Sequence, residues 1–412
     1  MAKILMIGAG IGQLFLSQKI KERGDELIAV TLPGHQPVIE IADKVYYNDV
    51  FDREGVLRIA QNEVVDGVIS DQNDMMMPTV AYVAEKMALP GLNVAQVKAY
   101  CNKNLFRDNC DRLNIPVPRH IEVREAEIPD SFRSVPFPWI VKPADSQSSV
   151  GVQKVCSERE YLVAIEKALG YSKTHSAILE EFFQGQELVA EGFIYKGKYY
   201  NLGFADRKYF DLDRLFIPSQ TIFPSQVDIH VLEQIARCEE RMADFVRPDF
   251  AIVHSEYLYD KNSGEYRVVE SALRGGGVYI SSHLIPLYCS IDINDVLLDC
   301  VSGKSVDVAA ILSRRINKAA GYMCFYLPEG EIVRADGMYA VRNMDCVKMM
   351  CVNDVSVGDL TPPLTHKGQR LGPIIVSGNN REDMEQSIAA IQQTLDVRVM
   401  GKDGCEYKIK WE

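Results

Sequence analysis

Glu256 and Glu270 stand in the stretch HSEYLYDKNSGEYRVVESALRGGG, residues 254–277, and they raise a problem of charge. The segment reads as a β-hairpin. DFAIV before it is apolar enough for a buried strand, DKNSG is turn chemistry, and YRVVE is the returning strand. Taken as symmetric about Ser263, the hairpin opposes position 256 to 270 and places Leu258 and Val268 on the same face. Two carboxylates about 4 Å apart repel by about 4 kcal/mol at an effective dielectric of about 20. Two arrangements remove that cost. A divalent cation can sit between them, as Mg²⁺ does beside one or two carboxylates and substrate phosphates. Alternatively each glutamate pairs with an arginine, Arg267 and Arg274 being at hand.

Three further groups are candidates. Lys142 ends the apolar strand FPWIVK and is followed by the small-residue loop Ser146-Gln147-Ser148-Ser149-Val150-Gly151. Such a loop offers hydroxyls and open backbone N–H groups to phosphates, or is simply a surface loop. It lacks the GxxxxGK[ST] spacing of a Walker A loop. In ILEEFFQGQE, Glu180 and Glu181 close one strand and Glu187 opens the next. The apolar connector suits a flat heterocycle, although a plain hairpin has the same pattern. Arg274 precedes three glycines, a setting for bidentate anion recognition with close backbone approach, or for a loop arginine in solvent. Nucleophilic catalysis lacks support. There is no GxSxG or HExxH, the seven histidines do not cluster, and Cys156 and Cys289 read as core or near-core thiols.

The elements that must position these groups follow from patterning. KILMIGAGIGQLFLSQKIKERGDELIAV is strand, glycine turn, helix, strand, and so begins a parallel sheet. The GxGxxG fingerprint fails at Gln13, and no acidic residue ends the second strand, which disfavours NAD. VDGVIS is another short strand and TVAYVAEKMAL an amphipathic helix. We expect a first domain over residues 1–95, a second over 96–315 holding the hairpin, and a C-terminal α+β domain over 316–412. In the last, YMCFYLPEGEIVRADG reads as a hairpin around Pro328-Glu329-Gly330, and REDMEQSIAAIQQTL as a helix before the strand DVRVM.

Composition bounds the rest. With 47% hydrophobic and 25% charged residues over 412 positions, the chain is globular and multidomain. A net charge of −12 argues against a nucleic-acid partner. The absence of an 18-residue apolar run or a signal-peptide pattern predicts a cytoplasmic protein without a membrane partner. Ten scattered cysteines without CxxC read as reduced, mostly buried thiols.

In this order the pieces resemble the ATP-grasp superfamily, over nearly the whole chain. The motifs that carry the likeness are Lys103 on a helix, Lys142 with DSQSSVG, EEFFQGQE, and a metal glutamate followed by ESALRGGG. The first region resembles the Rossmann-like pre-ATP-grasp domain, and the last the C-terminal domain of carboxylate–amine ligases of the L-amino-acid ligase type. The resemblance implies ATP and Mg²⁺ (or Mn²⁺) as cofactors, small carboxylate and amine substrates, and a homodimer as one assembly the family uses. It implies that Lys103 and Lys142 hold phosphates, with Ser148, Ser149 and Gly151 closing over them. Glu180 would face the adenine, with Glu181, Phe182 and Phe183 as the hinge, and Glu187 the ribose. Glu256 and Glu270 would bind the metal. Arg274 would stabilise the transferring phosphoryl, with Arg207 or Lys208 as a further charge. The family often has Asn where Ala272 stands, which puts a second metal in question. A bicarbonate-using carboxylase of the biotin carboxylase or purine-pathway type, and a non-catalytic ATP-binding module, are the alternatives.

Overall fold

The computed structural model describes residues 1–146, 150–212 and 215–412. Four strands, β1 (Lys3–Ile7), β2 (Glu26–Thr31), β3 (Lys44–Tyr47) and β4 (Gly67–Ile69), form a parallel sheet in the order β3-β2-β1-β4. Their near-continuous apolar runs are what a sheet covered on both faces requires. The turn after β1 places Gly8 at φ +93°, where a Cβ would also meet the Met76 side chain. Helix Ile11–Glu22 then starts at Gly10, and Gln13 fills its N-terminus. The Gln13 side-chain oxygen accepts from the Gly10 N–H at 3.1 Å, and its amide donates to the Asp71 carbonyl. The residue that breaks the dinucleotide fingerprint thus satisfies the helix end from within the chain.

Strands β5 (His120–Val123), β6 (Trp139–Pro143), β7 (Gln153–Val155) and β8 (Ala177–Glu181) form a second sheet, ordered β5-β8-β6-β7. Helix Glu158–Tyr171 packs on it through Tyr161, Ile165 and Leu169, against Trp139 and Leu179. The next strands are β9 (Gln186–Tyr195), β10 (Lys198–Tyr209), β11 (Pro218–Phe223), β12 (Phe250–Tyr259), β13 (Tyr266–Ala272) and β14 (Ala319–Phe325). After them come β15 (Gly330–Asp336), β16 (Val347–Met350), β17 (Leu360–Thr361), β18 (Leu371–Gly378), β19 (Asp396–Met400) and β20 (Glu406–Lys408). An antiparallel sheet of eight strands runs β13-β12-β9-β10-β11-β14-β18-β16, and a smaller one runs β17-β15-β19-β20.

The hairpin expected in YMCFYLPEGEIVRADG does not form, and neither does the plain hairpin left open for EEFFQGQE. β8 and β9 belong to different sheets, so EEFFQGQE crosses a cleft between sheets rather than turning within one. β14 pairs with β11 and β18, whereas β15 pairs with β17 and β19. The two strands diverge to sandwich helix Arg381–Thr394, whose Met384, Ile388 and Ile391 fill the space between Met323, Ile374, Val397 and Val399. Burying those apolar faces, at about 25 cal/mol per Å² of area, outweighs the local pairing a tight turn would give.

The regions are tied together away from the cleft. Leu298 and Val301 of helix Ile293–Val301 pack with Ile4, Met6 and Ile69 of the first sheet. The cysteines are less buried than expected. Cys110, Cys238, Cys289 and Cys324 are buried, but Cys156, expected near the core, is exposed with Cys351 and Cys405. Among the described residues no helix is long and apolar enough to cross a membrane.

Candidate active site

The hairpin reaches the expected opposition of Glu256 and Glu270 by an unexpected route. Pairing out from the turn runs Tyr259–Tyr266, Leu258–Arg267 and Tyr257–Val268, and then resumes at Glu256–Glu270. Val269 is left over as a β-bulge, so Val268 faces Tyr257 and not Leu258. Continued without the bulge, the register would set Glu256 against Val269 and send Glu270 to the other face. The bulge also frees the Val269 carbonyl, which accepts from the Arg107 guanidinium at 2.7 Å.

Neither glutamate uses the arginines expected of it. Arg267 pairs with Glu265 at 2.9 Å. Arg274 is not a solvent arginine. It makes a bidentate contact with Asp74 of the first region, at 3.0 and 2.6 Å. Glu256 instead receives Arg207 and, at 3.3 Å, the His254 ring, both on Oε1. Glu270 lies 3.6 Å from the Lys103 ammonium through its own Oε1. Neither carboxylate's Oε2 accepts a hydrogen bond among the described residues. Two hard oxygens opposed across one strand pair fit Mg²⁺, and Glu256 and Glu270 are the residues that would hold it. Where the family often has Asn, Ala272 faces His254 across the ladder.

Arg207 is shared. Its Nη1 lies 2.6 Å from Glu187, and the Tyr209 hydroxyl also donates to Glu187. Burial and the neighbouring Glu256 carboxylate push Glu187 up to about 7. Burial works against ionised Glu256 too, but Arg207 and His254 hold it well below the usual carboxylate range. His254 loses from burial and gains more from Glu191 and Glu256, reaching about 9. Lys208 is a correction. Strand alternation turns it to the opposite face from Arg207, where it is exposed and pairs with Glu412 at 2.9 Å.

Lys142 is buried on β6 and lies 2.7 Å from Glu180 on β8. The other oxygen of Glu180 takes the buried Arg107 at 2.7 Å. Burial would raise Glu180, but Arg107 and Lys142 bring it down to about 2. Burial lowers Lys142 from the ordinary ammonium value, despite Glu180. Lys103 opens helix Lys103–Arg112, capped by Asn102, and its ammonium donates to the Ser146 carbonyl at 2.6 Å. Gly151 has φ +77°, and a Cβ there would strike Pro143, so the loop needs glycine. Ser148 and Ser149 lie outside the described residues.

One cavity of about 380 Å³ gathers these groups: Lys103, Lys142, Glu180, Glu187, Glu256 and Glu270. The connector Glu181-Phe182-Phe183-Gln184-Gly185 closes one side, and Ile140, Val152 and Leu258 give it apolar walls. Gly185 passes so close to β12 that a Cβ would lie 2.7 Å from the Tyr259 carbonyl oxygen. The sequence reading missed Arg107, Tyr209, Glu191 and His254. Arg107 stands four residues after Lys103, on the same helix face. Tyr209 and His254 stand two residues from Arg207 and Glu256, on the same strand faces.

Comparison with known proteins bears on the family and the fold. Residues 110–241 match the family model described as D-ala D-ala ligase C-terminus. Residues 323–400 match that described as L-amino acid ligase C-terminal domain 2. The L-amino acid ligase from Bacillus licheniformis superposes with a TM-score of 0.81 at 19% identity, over 97% of this chain and 99% of that one. The chain belongs to the ATP-grasp superfamily.

The ATP-grasp architecture extends to other activities. Phosphoribosylglycinamide synthetase from Anaerococcus prevotii superposes with a TM-score of 0.76 at 20% identity, over 96% of this chain and 99% of that chain. The D-alanine–D-alanine ligase of Flavobacterium johnsoniae is 31% identical over 154 residues, 34% of this chain. That match spans 46% of the relative, a little under half its length. The cavity lies between the second sheet and the eight-stranded one, with Lys142 of β6 on one side and Glu256 and Glu270 of β12 and β13 on the other. The final region is L-amino acid ligase-like, as the sequence led us to expect.

Proposed function

We propose that the chain is an ADP-forming carboxylate–amine ligase, joining a small acid to an amine through an acyl phosphate. The observation that carries this reading is the single cavity shared by two lysines and two opposed glutamates beside an apolar connector. Lys103 and Lys142 hold the nucleotide phosphates, and Gly151 lies in the loop beside them. The backbone of Glu181 and Phe183 meets the adenine edge, with Phe182 beside it. Glu180 supports the base and also orients Lys142, to which it is bonded at 2.7 Å. Glu187 meets the ribose.

A carboxylate is a poor acyl donor because oxide is its leaving group. In the first step a carboxylate oxygen of the acid attacks the γ-phosphorus, and ADP departs. In the second the amine nitrogen attacks the acyl carbon, phosphate leaves, and the nitrogen loses a proton. Both steps need positioning and charge neutralisation more than covalent help from the protein. Lys103, Lys142 and Arg274 supply positive charge, and Arg207 fixes Glu187 and Glu256 in place. When bound, Mg²⁺ would neutralise charge on the phosphate oxygens, held by Glu256 and Glu270.

The test is a trap. With Mg·ATP, a pool of small carboxylic acids and hydroxylamine in place of the amine, the chain should form hydroxamate and ADP in equal amounts. ADP that requires bicarbonate, with no hydroxamate from any acid, would replace this reading with a carboxylase.

A further inference from the structure

A second cavity, of about 490 Å³, adjoins the nucleotide cavity and shares Lys103, Ser146 and Glu270 with it. Its wall brings together two regions of the chain. Phe51 and Arg53 come from the first region, and Lys173 and Thr174 from the loop after helix Glu158–Tyr171. The Lys173 ammonium lies 3.6 Å from the centre of the Phe51 ring, so the two meet in direct contact.

Three cations, Arg53, Lys103 and Lys173, and three carboxylates line this cavity, and the carboxylates are held in a way that leaves two of the cations without an ion pair among the described residues. Of its three carboxylates, Asp74 is bidentate with Arg274. Asp145 accepts from the backbone and hydroxyl of Thr174 at 3.2 and 3.3 Å. Glu270 lies beside Lys103. Arg53 and Lys173 line the same space, and neither forms an ion pair among the described residues. In a chain of net charge −12, two cations converging on a cavity without carboxylate partners supply the local attraction that an anionic ligand needs.

We propose that this cavity binds the acid substrate, and that the acid carries a second anionic group. The reacting carboxylate lies by Lys103 and Glu270, at the junction with the nucleotide cavity, and the second anion lies against Arg53 and Lys173. The substrate class is therefore a dicarboxylate or a similar two-anion acid. This rests on the ligase reading of the nucleotide cavity.

The experiment is calorimetry on the full chain loaded with Mg²⁺ and a non-hydrolysable ATP analogue. Succinate, glutarate, aspartate and glutamate are titrated against butyrate and alanine. At least one two-anion acid should bind about tenfold or more tighter than its one-anion counterpart, the worth of one charge-assisted contact. Arg53→Gln and Lys173→Gln should each erase that preference and leave analogue affinity unchanged. Equal binding of both classes overturns the proposal. So does a loss confined to the nucleotide analogue, which would assign the cavity to the phosphate tail. Dicarboxylate binding with neither ADP nor hydroxamate from any acid would instead sink the ligase reading and leave the anion site standing.

Discussion

Glu180 is the residue on which the buried charges depend. It is buried between Arg107 and Lys142, each 2.7 Å away. Its folded carboxyl sits at about 2, below the ordinary 4.5, because the two cations outweigh burial. The sign follows directly. Ionised Glu180 favours the fold above about 4.5, and that contribution is lost as pH falls towards 2. Glu180→Gln leaves two buried cations uncompensated, at a cost of about 3–5 kcal/mol. Urea unfolding should show the gap between wild type and variant widest at neutral pH and narrowing on acidification towards pH 3. A gap independent of pH would contradict this account of the triad. The sequence made Lys142 and Glu180 visible as types at strand ends. Arg107 was not visible, because its role depends on a helix docking against a bulge in β13.

At the scale of elements, connectors decide the site. The sequence reading took ILEEFFQGQE for strand, connector and strand, which is correct, but nothing local says that the two strands join different sheets. Sheet partners are chosen by the burial of faces contributed from distant segments. The same limit explains β14 and β15, which helix Arg381–Thr394 separates. The bulge at Val269 was hidden too, since alternation fixes a face only while the register is regular. The parallel sheet of the first region was legible, because its apolar runs and glycine turn are local signals. Gly185 gives the element-scale prediction. Gly185→Val would push the connector away from the Tyr259 backbone and move the hinge. We expect KM for ATP to rise about tenfold or more, with thermal stability nearly unchanged, a loss of ground-state nucleotide binding. An unaltered KM for ATP would remove the connector from the nucleotide site.

Across the whole molecule, the first region reaches the chemistry through Asp74. Its bidentate contact with Arg274 is a polar link from that region to the loop after β13. We assign Asp74 to positioning Arg274. Asp74→Asn keeps the shape and removes the charge, and should lower kcat by about tenfold while KM for ATP changes little. Asp74→Glu should restore part of the activity. A rise in KM for ATP with kcat intact would mean that the contact serves assembly of the cleft instead.

The measurement that bears most directly on the central claim is ADP release with Mg·ATP, wild type against Glu270→Ala, across pools of small acids and amines with and without bicarbonate. The account predicts ADP only when an acid and an amine are both present, no need for bicarbonate, and a loss of about a hundredfold or more in the variant, with its circular dichroism unchanged. Normal turnover by Glu270→Ala, or ADP formation that follows bicarbonate alone, would contradict it.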